Sequence, residues 1–132
     1  MLIINEKLKF ELIEQVRQEE SKEACGILAG RRGQVEKVYQ IKNASDSPES
    51  CYFMEPREQL KVMKELRAQS LEMVGIYHSH PKSEAYPSAR DVELAFYSAL
   101  SYVIIYLPPH GKIQFRSFRI VEGKIAEEEI KT

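Results

Sequence analysis

His78-Ser79-His80-Pro81, followed by Ser88 and Asp91, places two imidazoles, a hydroxyl and a carboxylate within fourteen residues. Two imidazoles and one carboxylate form a ligand set that suits zinc. If residues 71–80 form a strand, side chains alternate between faces, so His78 and His80 point the same way with backbones roughly 6 to 7 Å apart. Both then reach one ion. Asp91, brought back by the loop over 82–87, supplies a third ligand and leaves the fourth tetrahedral position to water, as a catalytic zinc requires. Zinc lowers the pKa of such a water towards about 7, which gives a nucleophile at neutral pH, so the expected chemistry is hydrolysis. Amide hydrolysis also needs a proton carrier for the leaving amine. Glu23 is the candidate, because it precedes an apolar strand and can stand at the sheet's end without deep burial.

Each of these residues also has a plainer explanation. Two outward histidines on a strand can simply be solvated, and Glu23 can be a surface residue between Lys22 and Ala24. Ser88-x-x-Asp91 is a helix-capping pattern, in which Ser88 accepts from a backbone N–H and Asp91 favours the positive helix end. The capping and metal readings coexist, since the first helical turn would fix the Asp91 carboxylate while Ser88 donates to a developing oxyanion. Ser79 points to the opposite strand face from the histidines, which argues against a serine nucleophile. Cys25 shares the parity of Glu23, yet with Gly26, Ile27 and Leu28 behind it the thiol reads as a small core residue. Tyr86, held extended by Pro87, is a candidate for lining a substrate channel or a loop tyrosine without a role.

The elements that must position these groups can be read from periodicity. Leu8, Leu12, Ile13 and Val16 recur at helical spacing after Asn5, a good N-cap, which predicts a helix over 6–20. Residues 24–29 and 35–41, joined through Gly30-Arg31-Arg32-Gly33, predict a β-hairpin. Residues 43–50 read as a flexible loop and 51–54 as a short strand. Pro56 opens a second helix with the stripe Leu60, Met63, Leu66 and Leu71. Residues 73–77 lead as a strand into the histidines. Ser88 caps a third helix whose apolar side is Val92, Ala95, Phe96, Ala99 and Leu100. Residues 102–107 and 113–121 read as strands around the turn 108–111, where His110 is a surface residue, and the charged tail is expected to fray. Helices and strands alternate but several strands are joined by tight turns, so the class is α/β with a mixed sheet.

At 132 residues with 43% hydrophobic content, the chain suits one domain with one core, residues 1–132. Nineteen basic against twenty acidic residues give a net charge of −1, which lacks the footprint of a nucleic-acid binder. The N-terminus carries no signal for secretion and the longest apolar run is too short for a bilayer, so no membrane partner is expected. Two cysteines, Cys25 and Cys51, without CxxC spacing, fit a reducing cytoplasm.

Glu23, His78-Ser79-His80-Pro81 and Ser88-x-x-Asp91 together resemble the signature of the JAMM-type (MPN+) zinc metalloproteases. The pattern is a glutamate near the first strand, His-Ser/Thr-His, seven residues, Ser, two residues and Asp, and every element is kept here. Glu-Ala-Cys-Gly-Ile-Leu at 23–28 resembles the short bacterial members. The resemblance spans nearly the whole chain and implies the Mov34/MPN architecture, a cytidine-deaminase-like mixed sheet flanked by helices. It implies Zn2+ held by His78, His80 and Asp91, with Glu23 as general acid/base and Ser88 stabilising the tetrahedral intermediate. It also implies a substrate with a glycine-rich tail, such as a small ubiquitin-like or sulfur-carrier protein. The alternative reading is a non-catalytic MPN-type scaffold or a zinc-binding interaction module; MPN scaffolds lack the ligands, which this chain retains.

Both histidines must be neutral to bind zinc, so below roughly pH 6 protons compete for them. Zinc occupancy measured across pH 4–8 is expected to fall on the acid side. Full occupancy throughout, with His78→Ala binding as well as wild type, would contradict a histidine-held ion.

Overall fold

Asn5 caps the first helix as its type predicts: its side-chain oxygen accepts from the Leu8 N–H at 2.8 Å. The computed structural model describes every residue from Met1 to Thr132. After β1 (Leu2–Ile3), helix α1 (Glu6–Glu19) turns Leu8, Leu12 and Val16 inward. Strands β2 (Cys25–Arg31) and β3 (Gln34–Ile41) pair antiparallel. Arg32 and Gly33 join them, both at positive φ (53° and 76°), which gives the turn the twist a tight hairpin needs. Helix α2 (Pro56–Ala68) and strand β4 (Glu72–Ser79) follow, then α3 (Ala89–Glu93), β5 (Ser101–Tyr106), β6 (Gln114–Val121), β7 (Lys124–Glu128) and β8 (Ile130–Lys131).

All eight strands join one sheet in the order β7-β6-β5-β4-β2-β3-β1-β8. The β4–β5, β1–β3 and β1–β8 pairs are parallel and the others antiparallel, so the sheet is mixed as expected. Strand alternation sends Leu28, Tyr77, Val103 and Ile105 to one face, where α1 covers them. Cys25, Ile76, Tyr102, Ile104 and Phe118 line the other face, which α2 partly covers by packing Val62 and Leu66 on Ile27, Ala29 and Ile41. No helix is long and apolar enough to cross a membrane.

Five expectations need correction. The α2 stripe is rotated: Leu60 is 54% exposed and Met63 lies at the margin, while the i,i+4 pair Val62 and Leu66 is buried. The third helix stops at Glu93. Its expected continuation is diverted because the Tyr102 hydroxyl accepts from the Tyr97 N–H (3.0 Å) and Arg119 donates to the Ala99 carbonyl (2.6 Å), leaving Phe96 76% exposed. Residues 51–54 form no strand beyond a single Asn43–Met54 bridge, and the 43–50 loop is pinned rather than loose. Asn43 does this: its Nδ2 donates to the carbonyls of Glu23 and Cys51, and its Oδ1 accepts from Ser45 and Phe53 N–H groups, all at 3.0 Å. The charged tail does not fray but forms β7 and β8, since Arg116 pairs Glu127 across strands and Arg119 and Ser117 reach Glu128.

Gly26 sits one residue past Cys25 where three strands meet, and a Cβ there would collide with the Tyr39 carbonyl oxygen and the Tyr77 ring. Neither neighbour can yield without shifting a central strand. Gly26→Ala is therefore expected to destabilise by at least the ~1–3 kcal/mol typical of overpacking, read as a fall in the denaturant midpoint. An unchanged midpoint would show that the strands are looser than this.

Candidate metal centre

Strand β4 runs down the middle of the sheet, between β2 and β5, with His78 opposite Cys25 on one side and Ile104 on the other. Parallel neighbours end together, so the C-terminal ends of β4 and β5 frame a crevice, the usual place for a ligand in such a sheet. His80 lies just beyond β4, its N–H donating to the Ile105 carbonyl at 2.9 Å. Alternation turns both imidazoles to the same face, as the spacing predicts, and their Nε2 atoms stand 3.2 Å apart.

Asp91 arrives from α3, held by a reciprocal capping box. Ser88 Oγ accepts from the Asp91 N–H (3.1 Å) and Asp91 Oδ2 accepts from the Ser88 N–H (2.9 Å). Its two carboxylate oxygens lie 3.2 Å from His78 Nε2 and 3.0 Å from His80 Nε2. The capping and ligand-supplying readings of Ser88-x-x-Asp91 thus hold together: the cap is what fixes the carboxylate.

The donor set fits a cation. His80 Nδ1 is 2.8 Å from the Glu84 carbonyl oxygen, which can only accept, so the proton of a neutral ring sits on Nδ1 and Nε2 presents a lone pair. That lone pair faces a second imidazole and a carboxylate, and all three residues are buried. A proton or a metal cation at their meeting point relieves the repulsion. One ligand atom from each of His78, His80 and Asp91 lies within 4.8 Å of the others, and two imidazoles with one carboxylate suit zinc. The titration behaviour agrees. Burial pushes the His78 pKa down against the pull of Asp91. Burial also pulls on His80, but the Asp91 and Glu84 hydrogen bonds outweigh it and raise its value. Burial would raise the Asp91 pKa, yet hydrogen bonds from both rings and from the Ser88 N–H hold it far below the usual carboxylate range. A proton shared there stands where a cation would.

A family model described as prokaryotic homologs of the JAB domain matches residues 5–121. The chain belongs to that family. It is 36% identical over 132 residues to the CysO-cysteine peptidase of Mycobacterium tuberculosis, with 98% of this chain and 90% of the relative covered. It is 38% identical over 117 residues to the probable TtuB-protein conjugate cleaving protease of Thermus thermophilus, covering 86% of this chain and 74% of that one. Among solved structures, protein DSY2949 from Desulfitobacterium hafniense superposes with a TM-score of 0.89 at 42% identity, covering 98% and 91% of the two chains. The mixed sheet flanked by helices is thus the JAB architecture anticipated from the motif.

Glu23 precedes β2 at the crevice's edge but is only 5% exposed, so it is neither the surface residue that its sequence neighbours suggest nor the shallowly placed carboxylate expected at the sheet's end. Its backbone is anchored on both sides, N–H to the Pro48 carbonyl and carbonyl to Asn43, while side-chain Oε1 is buried without a partner. Burial, reinforced by the Asp91 charge and offset by His80, pushes its pKa up to about 7. With Ser88, His80, Glu49, Ser50 and Lys82 it lines a cleft of about 330 Å³. A groove of about 670 Å³ adjoins it, sharing Ser50 and walled by Tyr52, Phe53, Arg90 and Leu94.

Tyr86 does not reach the site, while Cys25 and Ser79 take the structural places expected of them. Tyr86 packs edge-on against Phe118 (5.4 Å) with the Arg116 guanidinium over its ring, outside the lining of both clefts. Cys25 is buried, its thiol directed at the Ile41 carbonyl and its pKa pushed by burial up to about 12, so it offers no thiolate. Ser79 turns away and accepts from the Ala24 N–H, tying β4 to the start of β2. Three contributors carry no motif: Tyr52 stacked on His78, the Glu84 carbonyl on His80, and Asn43 under Glu23. Only Asn43 leaves a trace in the sequence, as a loop Asn able to bond its own neighbouring backbone.

A buried carboxylate without a partner destabilises the fold when ionised. Because the folded pKa of Glu23 is about 7 against an ordinary 4.5, stability is intact below about pH 4.5 and is lost as pH rises to about 7. Metal-free Glu23→Gln is therefore expected to unfold at higher temperature than metal-free wild type at pH 8, with the gap closing towards pH 4.5. A wild type as stable as the variant at pH 8 would contradict this placement of Glu23.

Proposed function

We propose that this protein is a zinc-dependent metallopeptidase that hydrolyses an amide bond at the C-terminal tail of a small ubiquitin-like or sulfur-carrier protein. The observation that carries the reading is a three-ligand set on fixed elements beside a buried carboxylate whose pKa lies near neutrality. Catalytic zinc sites keep three protein ligands and one open position, whereas structural sites are closed by four. A scaffold would gain nothing from burying Glu23, His78, His80 and Asp91 together.

In this reading His78, His80 and Asp91 hold the metal. When bound, zinc supplies Lewis acidity that polarises the scissile carbonyl and acidifies the attacking water. Glu23 takes the proton from that water at its carboxylate oxygen and returns it to the leaving amine, and a pKa of about 7 suits both transfers. Ser88 Oγ already accepts from the Asp91 N–H, so its own hydrogen is available to the oxyanion that develops on the carbonyl. The cleft lined by Glu23 and Ser88 takes the scissile segment, and a narrow glycine tail suits its approach. The relatives' names support the substrate class: one is a CysO-cysteine peptidase, the other a probable TtuB-protein conjugate cleaving protease. Release of an amino acid or of a conjugated lysine follows from the same chemistry. A reducing cytoplasm completes the reading, in keeping with two free thiols.

Glu23→Gln is expected to bind zinc stoichiometrically while kcat on a carrier-tail substrate falls by roughly 10²–10⁴, the range for a lost general acid/base. Metal analysis alongside single-turnover hydrolysis checks both. Unchanged turnover in the variant would overturn the assignment of Glu23.

A further inference from the structure

The two histidines are aimed by different means. His80 is fixed through Nδ1 on the Glu84 carbonyl, the ordinary way of orienting a metal-binding imidazole. His78 Nδ1, by contrast, is buried and has no hydrogen-bond partner. The Tyr52 ring lies against His78 instead, with centroids 4.5 Å apart and planes inclined by only 21°. That is stacking geometry. Asp91 decides which edge of the imidazole faces the site, and the stack fixes the plane in which Nε2 must lie.

Tyr52 is itself well held. It is 6% exposed and belongs to the buried cluster of Cys25, Ile104 and Phe118. Its neighbours Cys51 and Phe53 are both bonded to the Asn43 side chain. The same residue also walls the 670 Å³ groove beside the site.

We propose that Tyr52 is a positioning residue for His78, its ring stack taking the place of the hydrogen bond that ordinarily aims a metal-binding imidazole. The inference rests on the zinc reading above for the identity of the metal.

The test is zinc affinity by chelator competition, with the d–d spectrum of the cobalt(II)-substituted protein as the record of ligand geometry. Tyr52→Phe keeps the ring and should bind zinc within about twofold of wild type with an unchanged spectrum. Tyr52→Leu removes the stack and should weaken zinc by 10- to 100-fold, the range for lost outer-shell partners, with shifted cobalt bands. Tyr52→Met, whose flexible side chain fills the same space, should behave like Tyr52→Leu and gives the comparison if that variant fails to fold. Phe118→Leu trims the same buried cluster at a ring that packs on Tyr86, so it should lower the unfolding temperature and leave zinc affinity unchanged. The proposal is overturned if both Tyr52→Leu and Tyr52→Met bind zinc like wild type, or if Phe118→Leu loses as much affinity. Wild-type protein without stoichiometric zinc would overturn the metallopeptidase reading itself, and this inference with it.

Discussion

Two imidazole nitrogens and two carboxylate oxygens meet within about hydrogen-bond distance at the end of the central strand, with almost no access to water. Acceptors of this kind repel unless a proton or a metal ion lies among them, and burial makes the repulsion stronger because little solvent screens it. The fold holds them together nonetheless. His78 is clamped between β2 and β5, His80 by the Ile105 and Glu84 carbonyls, and Asp91 by the capping box with Ser88. Such rigidity is what a metal site requires of its ligands, and it explains why the short α3 exists at all. Five residues make a poor helix on their own, but one turn suffices to aim a carboxylate.

Glu23 adds a second tension. A carboxylate whose Oε1 is buried without a partner costs stability, and the nearby His80 offsets that cost only in part. The same burial brings its proton affinity near neutrality, where a group can both accept and donate. Stability is spent where chemistry needs it, as sites of perturbed pKa commonly show. The anchoring of its backbone by Asn43 and the Pro48 carbonyl then matters as much as its side chain, because a loose carboxylate would escape to water.

Much of this was legible in the residues. The His-x-His parity, the Asn5 and Ser88 caps and the hairpin turn follow from local rules that tertiary packing does not override, and all appear as expected. The misses share a cause. Helical periodicity after Glu93 was real, but the Tyr102 hydroxyl and the Arg119 guanidinium, distant in sequence, captured the backbone instead. The α2 stripe could not be phased because Leu60 and Met63 look as apolar as Val62, and only the position of the sheet selects between them. The tail's charges suggested fraying, yet their partners Arg116 and Arg119 lie on the neighbouring strand. Tyr52 had no spacing to betray it, since a ring stacked on a ligand is a matter of loop placement. Glu23 was named by the apolar strand that follows it and then by its motif, while the polarity of Lys22 pointed to the surface.

X-ray absorption at the zinc edge of the purified, zinc-loaded protein examines the meeting of these side chains without relying on turnover. The expected inner shell is two imidazole nitrogens with oxygen ligands at about 2.0–2.2 Å and no sulfur near 2.3 Å. The imidazole scattering should diminish in His80→Ala. A sulfur shell, or imidazole scattering untouched by that substitution, would mean that the ion sits elsewhere and that the convergence of His78, His80 and Asp91 serves another purpose.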